Sequence, residues 1–460
     1  MGKVDTSNEK SLFIFRRDLR LVDNNALIAA IESSKQVIPI FIYDIFLLNN
    51  PNRSKNAIQF MQESIHDLQG QLEEAGGKLF LFEGKPWLIV NRLLNDRELE
   101  VKSIFINRDY TPYSQKRDIL ISEVAKDRNV KFRIFSDLLL NEPESVVKKD
   151  GTPYTVFTPY YKKATEYLIT TPKKNMLDNI YSNPIDSELK FQKEDFQTNP
   201  HTFIKGGRKN GLKILSEIHR FRNYEIERNF PAKQGTTFLS AHLRFGTISI
   251  REAYHKIYTQ DILPLVRQLY WRDFYYYIGF HFPHVFNKPF RKKYKSLKWS
   301  DNKETFKLWC EGRTGFPIID AGMRQLNKTG FMHNRVRMIA ASFLTKDLLI
   351  NWQWGEKYFA RKLIDYDLSV NNGNWQWSSS TGCDPVPYFR VFNPWTQQRK
   401  FDPKCEYIKK YIPELRELSP KEIHGLEKWT PEELQYPKPI VDHSKARTRA
   451  IIMFKNIQEI

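Results

Sequence analysis

Between Asp365 and Trp377 the chain reads DYDLSVNNGNWQW, a run of carboxylates, amides and indoles with almost no aliphatic filler. Asp365 and Asp367 stand two apart and Asn371 follows four later, while Gly373 among asparagines predicts a tight loop rather than a helix. Arg337 is a candidate to hold one carboxylate in a charge-assisted pair, leaving the other to accept from a polar N–H of a ligand. A second stretch, GTTFLSAHLRFG from Gly235 to Gly246, sets Thr236, Thr237 and Ser240 after a glycine at the mouth of a helix. Backbone N–H groups and hydroxyls so placed can receive a phosphate or pyrophosphate, although serine and threonine there also serve as ordinary helix caps.

The segment 331–350 carries two patterns at once. Met332, Val336, Ile339 and Phe343 recur at i, i+4, i+7 and i+11, the buried stripe of an amphipathic helix. Phe331, Asn334 and Met338 form a second face flanked by Arg335 and Arg337, and a polar face of that kind borders a pocket rather than a core.

The elements that must position these residues divide the 460-residue chain, which is long enough for two domains and a large buried ligand. The first 135 residues alternate the apolar runs SLFIF, PIFIY, KLFLF, SIFIN and KFRIF with helix-like stretches, the βαβ rhythm of a parallel, Rossmann-like sheet. No GxGxxG follows the first run, which argues against a standard dinucleotide site there. The predicted organisation is an α/β domain over 9–137, a Pro-, Asn- and Lys-rich connector over 138–207 running across the surface, and an all-α domain over 208–460. Eight of the ten tryptophans fall between Trp271 and Trp395, so the two halves do different work.

Lys and Arg number 72 against 53 acids, a formal charge of +19, which favours a polyanionic partner. The sequence has neither an apolar run of membrane-spanning length nor the apolar region of a signal peptide in MGKVDTSNEK, so a cytoplasmic protein without membrane contact is expected. Cys310, Cys383 and Cys405 show no metal spacing and are expected to be free thiols.

Several long stretches resemble the DNA photolyase and cryptochrome family, most closely class I photolyases of cyclobutane pyrimidine dimers: IFRRDLRLVDNNAL (14–27), YEIERNFPAKQGTTFLS (224–240), LYWRDFYYY (269–277), GFPIIDAGMRQLNKTGFMHNRVRMIAASFLTKDLL (315–349) and DYDLSVNNGNWQWSSSTGCDPVPYFRVFNPWTQ (365–397). The resemblance implies FAD inside the helical domain. Tyr224 and Thr236, Thr237, Phe238, Leu239 and Ser240 would hold its ribityl and phosphate part. Arg337, Asp365, Tyr366, Asp367 and Asn371 would surround the isoalloxazine, with Asn371 against N5, where a neutral amide suits an anionic reduced ring better than a carboxylate does. Trp375, Trp352 and Trp299 match a three-step electron path to the surface. Trp271 and Trp377 would sandwich a flipped-out dimer beside Asn334 and Met338, with Arg228, Arg335 and Gln397 on DNA. The implied reaction is light-driven: an electron passes from excited reduced FAD to the dimer, the cyclobutane opens, and the electron returns. The implied partner is double- or single-stranded DNA containing pyrimidine dimers, met by a monomer. A second, antenna chromophore, methenyltetrahydrofolate or 8-hydroxy-5-deazaflavin, is common in the family.

Four positions depart from the class I pattern. Gln268 stands where a glutamate usually contacts the dimer, Leu265 and Phe331 replace frequent tryptophans, and Phe238 replaces a common polar or basic residue in the phosphate segment. Gln268 is shared with photolyases of (6-4) photoproducts, but His333 is followed by Asn334, and Met338 stands where a further histidine is typical of them. A cryptochrome-like blue-light receptor is the other rival.

Overall fold

The apolar runs of the N-terminal half become strands because they are rich in β-branched and aromatic residues, and the inner ones are covered on both faces, which removes any need to alternate with polar ones; the edge run 131–135 is largely exposed. In the computed structural model, which describes residues 9–185, 198–428 and 433–457, they are β1 (Lys10–Phe15), β2 (Gln36–Asp44), β3 (Phe80–Gly84), β4 (Val101–Asn107) and β5 (Lys131–Phe135). All pair in parallel in the order β3-β2-β1-β4-β5. Crossover helices α1 (Asn25–Ser33), α2 (Lys55–Glu74), α3 (Pro86–Asn95) and α4 (Pro112–Asp127) complete the layers. The strand order reverses at β1 and β4, and β1 ends by delivering Arg17 to Tyr276 and Asp367 of the helical half, while Arg16 stays on Asp118 and Asn107 of its own.

The connector is more than a surface run. Within it α5 (Phe157–Ala164) buries Phe157 and Tyr160 against the helical half, a correction to the sequence reading. Residues 186–197 of the connector lie outside the described residues, as do 1–8 of the N-terminal segment and 458–460 of the C-terminal domain.

Among the described residues no strand follows β5. The helices that matter for function are α6 (Ser240–Phe245), α7 (Leu263–His281), α8 (Asn334–Ser342), α9 (Trp352–Lys362) and α10 (Leu368–Ser378). Met332, Val336, Ile339 and Phe343 are buried as their spacing predicts. The segment is not one uniform helix, however: α8 gives way to a π-turn over Phe343–Asp347, all five residues of which are buried. The stretch Asn371 to Trp377 is likewise not a loop. It lies on α10, whose first turn is capped by Asp367 accepting from the Val370 N–H at 3.2 Å. Gly373 is tolerated inside that helix because α7 packs so close that a Cβ there would sit 2.0 Å from the Tyr275 ring; tertiary packing overrides the loop preference of Asn and Gly.

The two halves are locked by buried charge. Arg20 pairs with Asp137 at 2.5 Å, and Arg251 bridges Asp137 at 2.7 Å and Asp23 at 2.9 Å. Beside this network Leu19 N–H donates to the Phe245 carbonyl at 3.0 Å, and Gly246, at φ +66°, brings the end of α6 against the backbone of Arg17. A Cβ at Gly246 would lie 2.1 Å from the Arg17 carbonyl oxygen. Gly246→Ala therefore combines left-handed strain with a backbone overlap and is expected to cost roughly 2–4 kcal/mol in urea unfolding; wild-type stability would contradict the close approach.

Candidate active site

A cavity of about 490 Å³ opens in the helical half, a size suited to a sizeable organic ligand. Its wall is built by the 224–240 loop, α6, α7, α8 and α10. Of the residues singled out in the sequence, Tyr224, Arg228, Thr236 to Ser240, Gln268, Trp271, Asn334, Arg337, Met338, Asp365 to Asp367, Asn371, Trp375 and Trp377 line it. Arg335, Gln397, Trp352 and Trp299 stand outside that lining. Arg335 donates to Asn229 Oδ1 at 2.5 Å, and Gln397 is half-buried on the helix 394–401.

The two aspartates are neutralised differently. Arg337 spans both oxygens of Asp365 at 3.0 and 3.1 Å, and Ser240 Oγ donates to the same carboxylate at 2.7 Å. Asp367 is not left for a ligand as the sequence suggested: Arg17 and the Tyr276 hydroxyl both donate to it, and Arg244 Nε lies 3.8 Å away. Burial alone would raise its pKa, but Arg17 and then Arg244 hold it below the usual aspartate value, so it stays ionised.

Asn371 is buried, and its Nδ2 donates to the Glu356 carbonyl at 3.2 Å, which turns its oxygen toward the cavity as an acceptor. Glu356 itself is buried on α9, and burial pushes its carboxyl up to about 7 even though Asn372 donates to it at 2.9 Å. The floor beneath Asn371 thus carries only part of a full negative charge at neutral pH. On the opposite side Trp271 stacks on Phe157 of α5 at 3.6 Å and 9°. Trp375 is buried against Phe359 at 5.0 Å and Trp309 at 6.2 Å. The buried Trp352 and the half-buried Trp299 belong to the same aromatic core, and Trp299 is held there by Ser300 N–H donating to the Leu349 carbonyl at 2.7 Å.

A flavin dinucleotide presents phosphates, carbonyls and ring N–H groups, and the residues present fit it. Thr236 and Arg244 line the cavity, and their buried Oγ1 and Nη1 atoms have no partner in the protein. Four arginines, Arg228, Arg244, Arg272 and Arg337, line it against two aspartates, leaving positive charge for an anion. Arg17, Arg244, Tyr276 and Glu356 were missed in the sequence. Arg17 lies 350 residues from Asp367, a separation that carries no local signal. Arg244 lies within the quoted GTTFLSAHLRFG, where the hydroxyls drew attention first.

Comparison with known proteins gives two family matches: "DNA photolyase" over residues 11–176 and "FAD binding domain of DNA photolyase" over 265–456. A deoxyribodipyrimidine photo-lyase of Alkalihalophilus pseudofirmus is 37% identical over 470 residues, covering 97% of this chain and 98% of its own. The crystal structure of an archaeal photolyase from Sulfolobus tokodaii with two FAD molecules, described as implicating a novel light-harvesting cofactor, superposes with a TM-score of 0.89 at 40% identity, covering 97% of this chain and 100% of that one. A bacterial class III photolyase from Agrobacterium tumefaciens superposes at 0.91 with 34% identity, covering 99% of each chain.

Glu356 makes a stability statement. Its folded pKa of about 7 exceeds the ordinary 4.5, so the folded state binds the extra proton, and stability falls as pH rises from about 4.5 through 7. Glu356→Gln keeps an acceptor oxygen for Asn372 and removes the titration. Urea unfolding is expected to show the variant gaining on wild type by up to ~3 kcal/mol at pH 8, with the gap closing below pH 5; parallel pH profiles would contradict the raised carboxyl.

Proposed function

The chain belongs to the DNA photolyase family, and from that membership we propose that it binds FAD in the helical cavity and, under light, splits cyclobutane pyrimidine dimers flipped out of DNA. The observation that carries the proposal is one cavity with two chemistries: unpaired donors and excess positive charge along the Thr236–Ser240 and Arg244 wall, and the indoles of Trp271 and Trp377 on the other.

FAD, when bound and fully reduced, supplies a photoexcited electron donor. Tyr224 and the Thr236–Ser240 segment hold its ribityl and phosphate part, and Arg337, Asp365, Tyr366 and Asp367 border its ring. Asn371 offers a carbonyl oxygen to a ring N–H without adding charge, whereas a carboxylate there would repel an anionic ring. Trp375, Trp352 and Trp299 relay an electron inward from the surface to restore the reduced state. Trp271 and Trp377 stack on the extruded bases, the damaged pair being the cheapest to unstack. Asn334, Met338 and Gln268 face the lesion, and Gln268 brings an amide where a carboxyl would share a proton. Arg228, Arg335 and Gln397 contact the DNA backbone, in keeping with the charge of +19.

The reading extends to double- or single-stranded DNA met by a monomer in the cytoplasm; among the described residues no helix is long and apolar enough to cross a membrane. A second, light-gathering chromophore belongs to it too, and the two FAD molecules of the Sulfolobus relative add FAD to the folate and deazaflavin candidates. His333 weighs against the (6-4) lesion: it is buried as the cap of α8, accepts from Arg335 N–H at 3.2 Å and stands outside the cavity lining.

Illuminating the reduced protein with DNA carrying either lesion tests the proposal. Recovery of thymine absorbance is expected with cyclobutane dimers; recovery with (6-4) lesions alone would transfer the activity, and none with either would point to a light receptor. Trp375→Phe is expected to slow photoreduction of the oxidised flavin at least about tenfold while pre-reduced protein still repairs, since donor oxidation rather than binding is lost. Equal loss of both would contradict the relay.

A further inference from the structure

The Thr236–Ser240 segment offers hydroxyls but no cation, and the residue at its centre cannot supply one. Phe238 is held at φ +56°, a strained conformation for a bulky residue, with its ring edge-on to Phe203 at 5.2 Å and Phe331 at 5.1 Å. That wall of the cavity is therefore apolar, and a diphosphate bound beside it needs its positive charge from elsewhere.

Arg244 follows Ser240 by four residues on α6, so the two share one face of the helix. Its Nε donates to the Tyr366 carbonyl at 2.8 Å, which fixes the guanidinium plane at the cavity wall. The acid within ion-pair reach, Asp367 at 3.8 Å, is already taken by Arg17 and Tyr276, and the more distant Asp109 is faced by Arg17. Arg244 lines the cavity with part of its side chain exposed there, and its buried Nη1 has no acceptor in the protein. Burial, and next the repulsion from Arg17, lower the pKa of this guanidinium, the mark of a cation short of negative charge. An unsatisfied buried guanidinium N–H is costly, and the cost disappears once an anionic oxygen accepts from it.

We infer that Arg244 is a cofactor-binding residue whose Nη1 donates to a diphosphate oxygen of the bound flavin dinucleotide, supplying the charge that the Thr236–Ser240 segment lacks. The inference rests on the assignment of the cavity to FAD. It also explains how a phenylalanine can occupy position 238: the cation enters from the next turn of the chain and leaves Phe238 to pack with Phe203 and Phe331.

The test uses the full-length protein carrying FAD, with Arg244→Met and Arg244→Lys compared with wild type. Two quantities are read by ultrafiltration at rising NaCl: the dissociation constant of FAD and that of riboflavin, which has the ring and ribityl chain but no phosphate. Arg244→Met is expected to weaken FAD retention by about tenfold or more and to flatten its salt dependence, with riboflavin binding little changed. Arg244→Lys, which keeps the charge but not the fork, is expected to recover part of the loss. Wild-type FAD retention in Arg244→Met would overturn the inference. An equal loss for riboflavin would overturn it by putting the guanidinium against the ring, and loss without any recovery by lysine would overturn it by tracing the effect to packing. Failure of the cavity assignment itself reads differently: wild-type protein would then hold no FAD at all.

Discussion

The buried pair between Arg17 and Asp367 is the constraint from which the geometry of the cavity follows. Removing two charges from water is expensive, and the pair persists because each member is fully engaged. Arg17 also donates to the Arg244 carbonyl at 3.3 Å and faces Asp109 at 3.4 Å, while Asp367 takes the Tyr276 hydroxyl and the Val370 N–H. Because Asp367 is the cap of α10, anchoring it to the end of β1 fixes where that helix starts and how it is rotated. Asn371 and Trp375, one turn apart, then share the face turned to the cavity. The sheet thus does more than house its own core; it aims the helix that carries the chemistry.

Above that anchor the cavity is graded in charge. Its floor is polar and only partly charged, with Asn371 over a glutamate whose burial favours the protonated form. Its wall carries Arg244, Arg337 and the unpaired Thr236 hydroxyl, and its mouth carries indoles. A dinucleotide whose ring becomes electron-rich and whose phosphates stay anionic meets a suitable neighbour at each level. The indole at the mouth depends in turn on the connector, since Phe157 lies flat on Trp271.

How much of this could be read from the sequence depended on how local the cause was. The inner strands were legible because burial on both faces writes itself as continuous apolar runs, and the stripe through Met332, Val336, Ile339 and Phe343 because helical spacing is local. The Arg337–Asp365 pair and the cavity hydroxyls were legible as chemistry. Helix α10 was not: the loop preference of its Asn and Gly residues is defeated by the close packing of Gly373 on Tyr275, which no local pattern announces. Helix α5 was hidden for a related reason, its eight residues being held by stacking on a tryptophan more than a hundred residues away. Arg17 was out of reach altogether, because a partner 350 residues distant leaves no trace in spacing.

The most direct measurement of the Arg17–Asp367 constraint is a double-mutant cycle in FAD affinity with Arg17→Met, Asp367→Asn and the two combined. If the pair positions α10, each single change weakens FAD binding and the double variant loses little more than the worse of the two. Losses that simply add would contradict that dependence, leaving each residue to act on the cavity by itself.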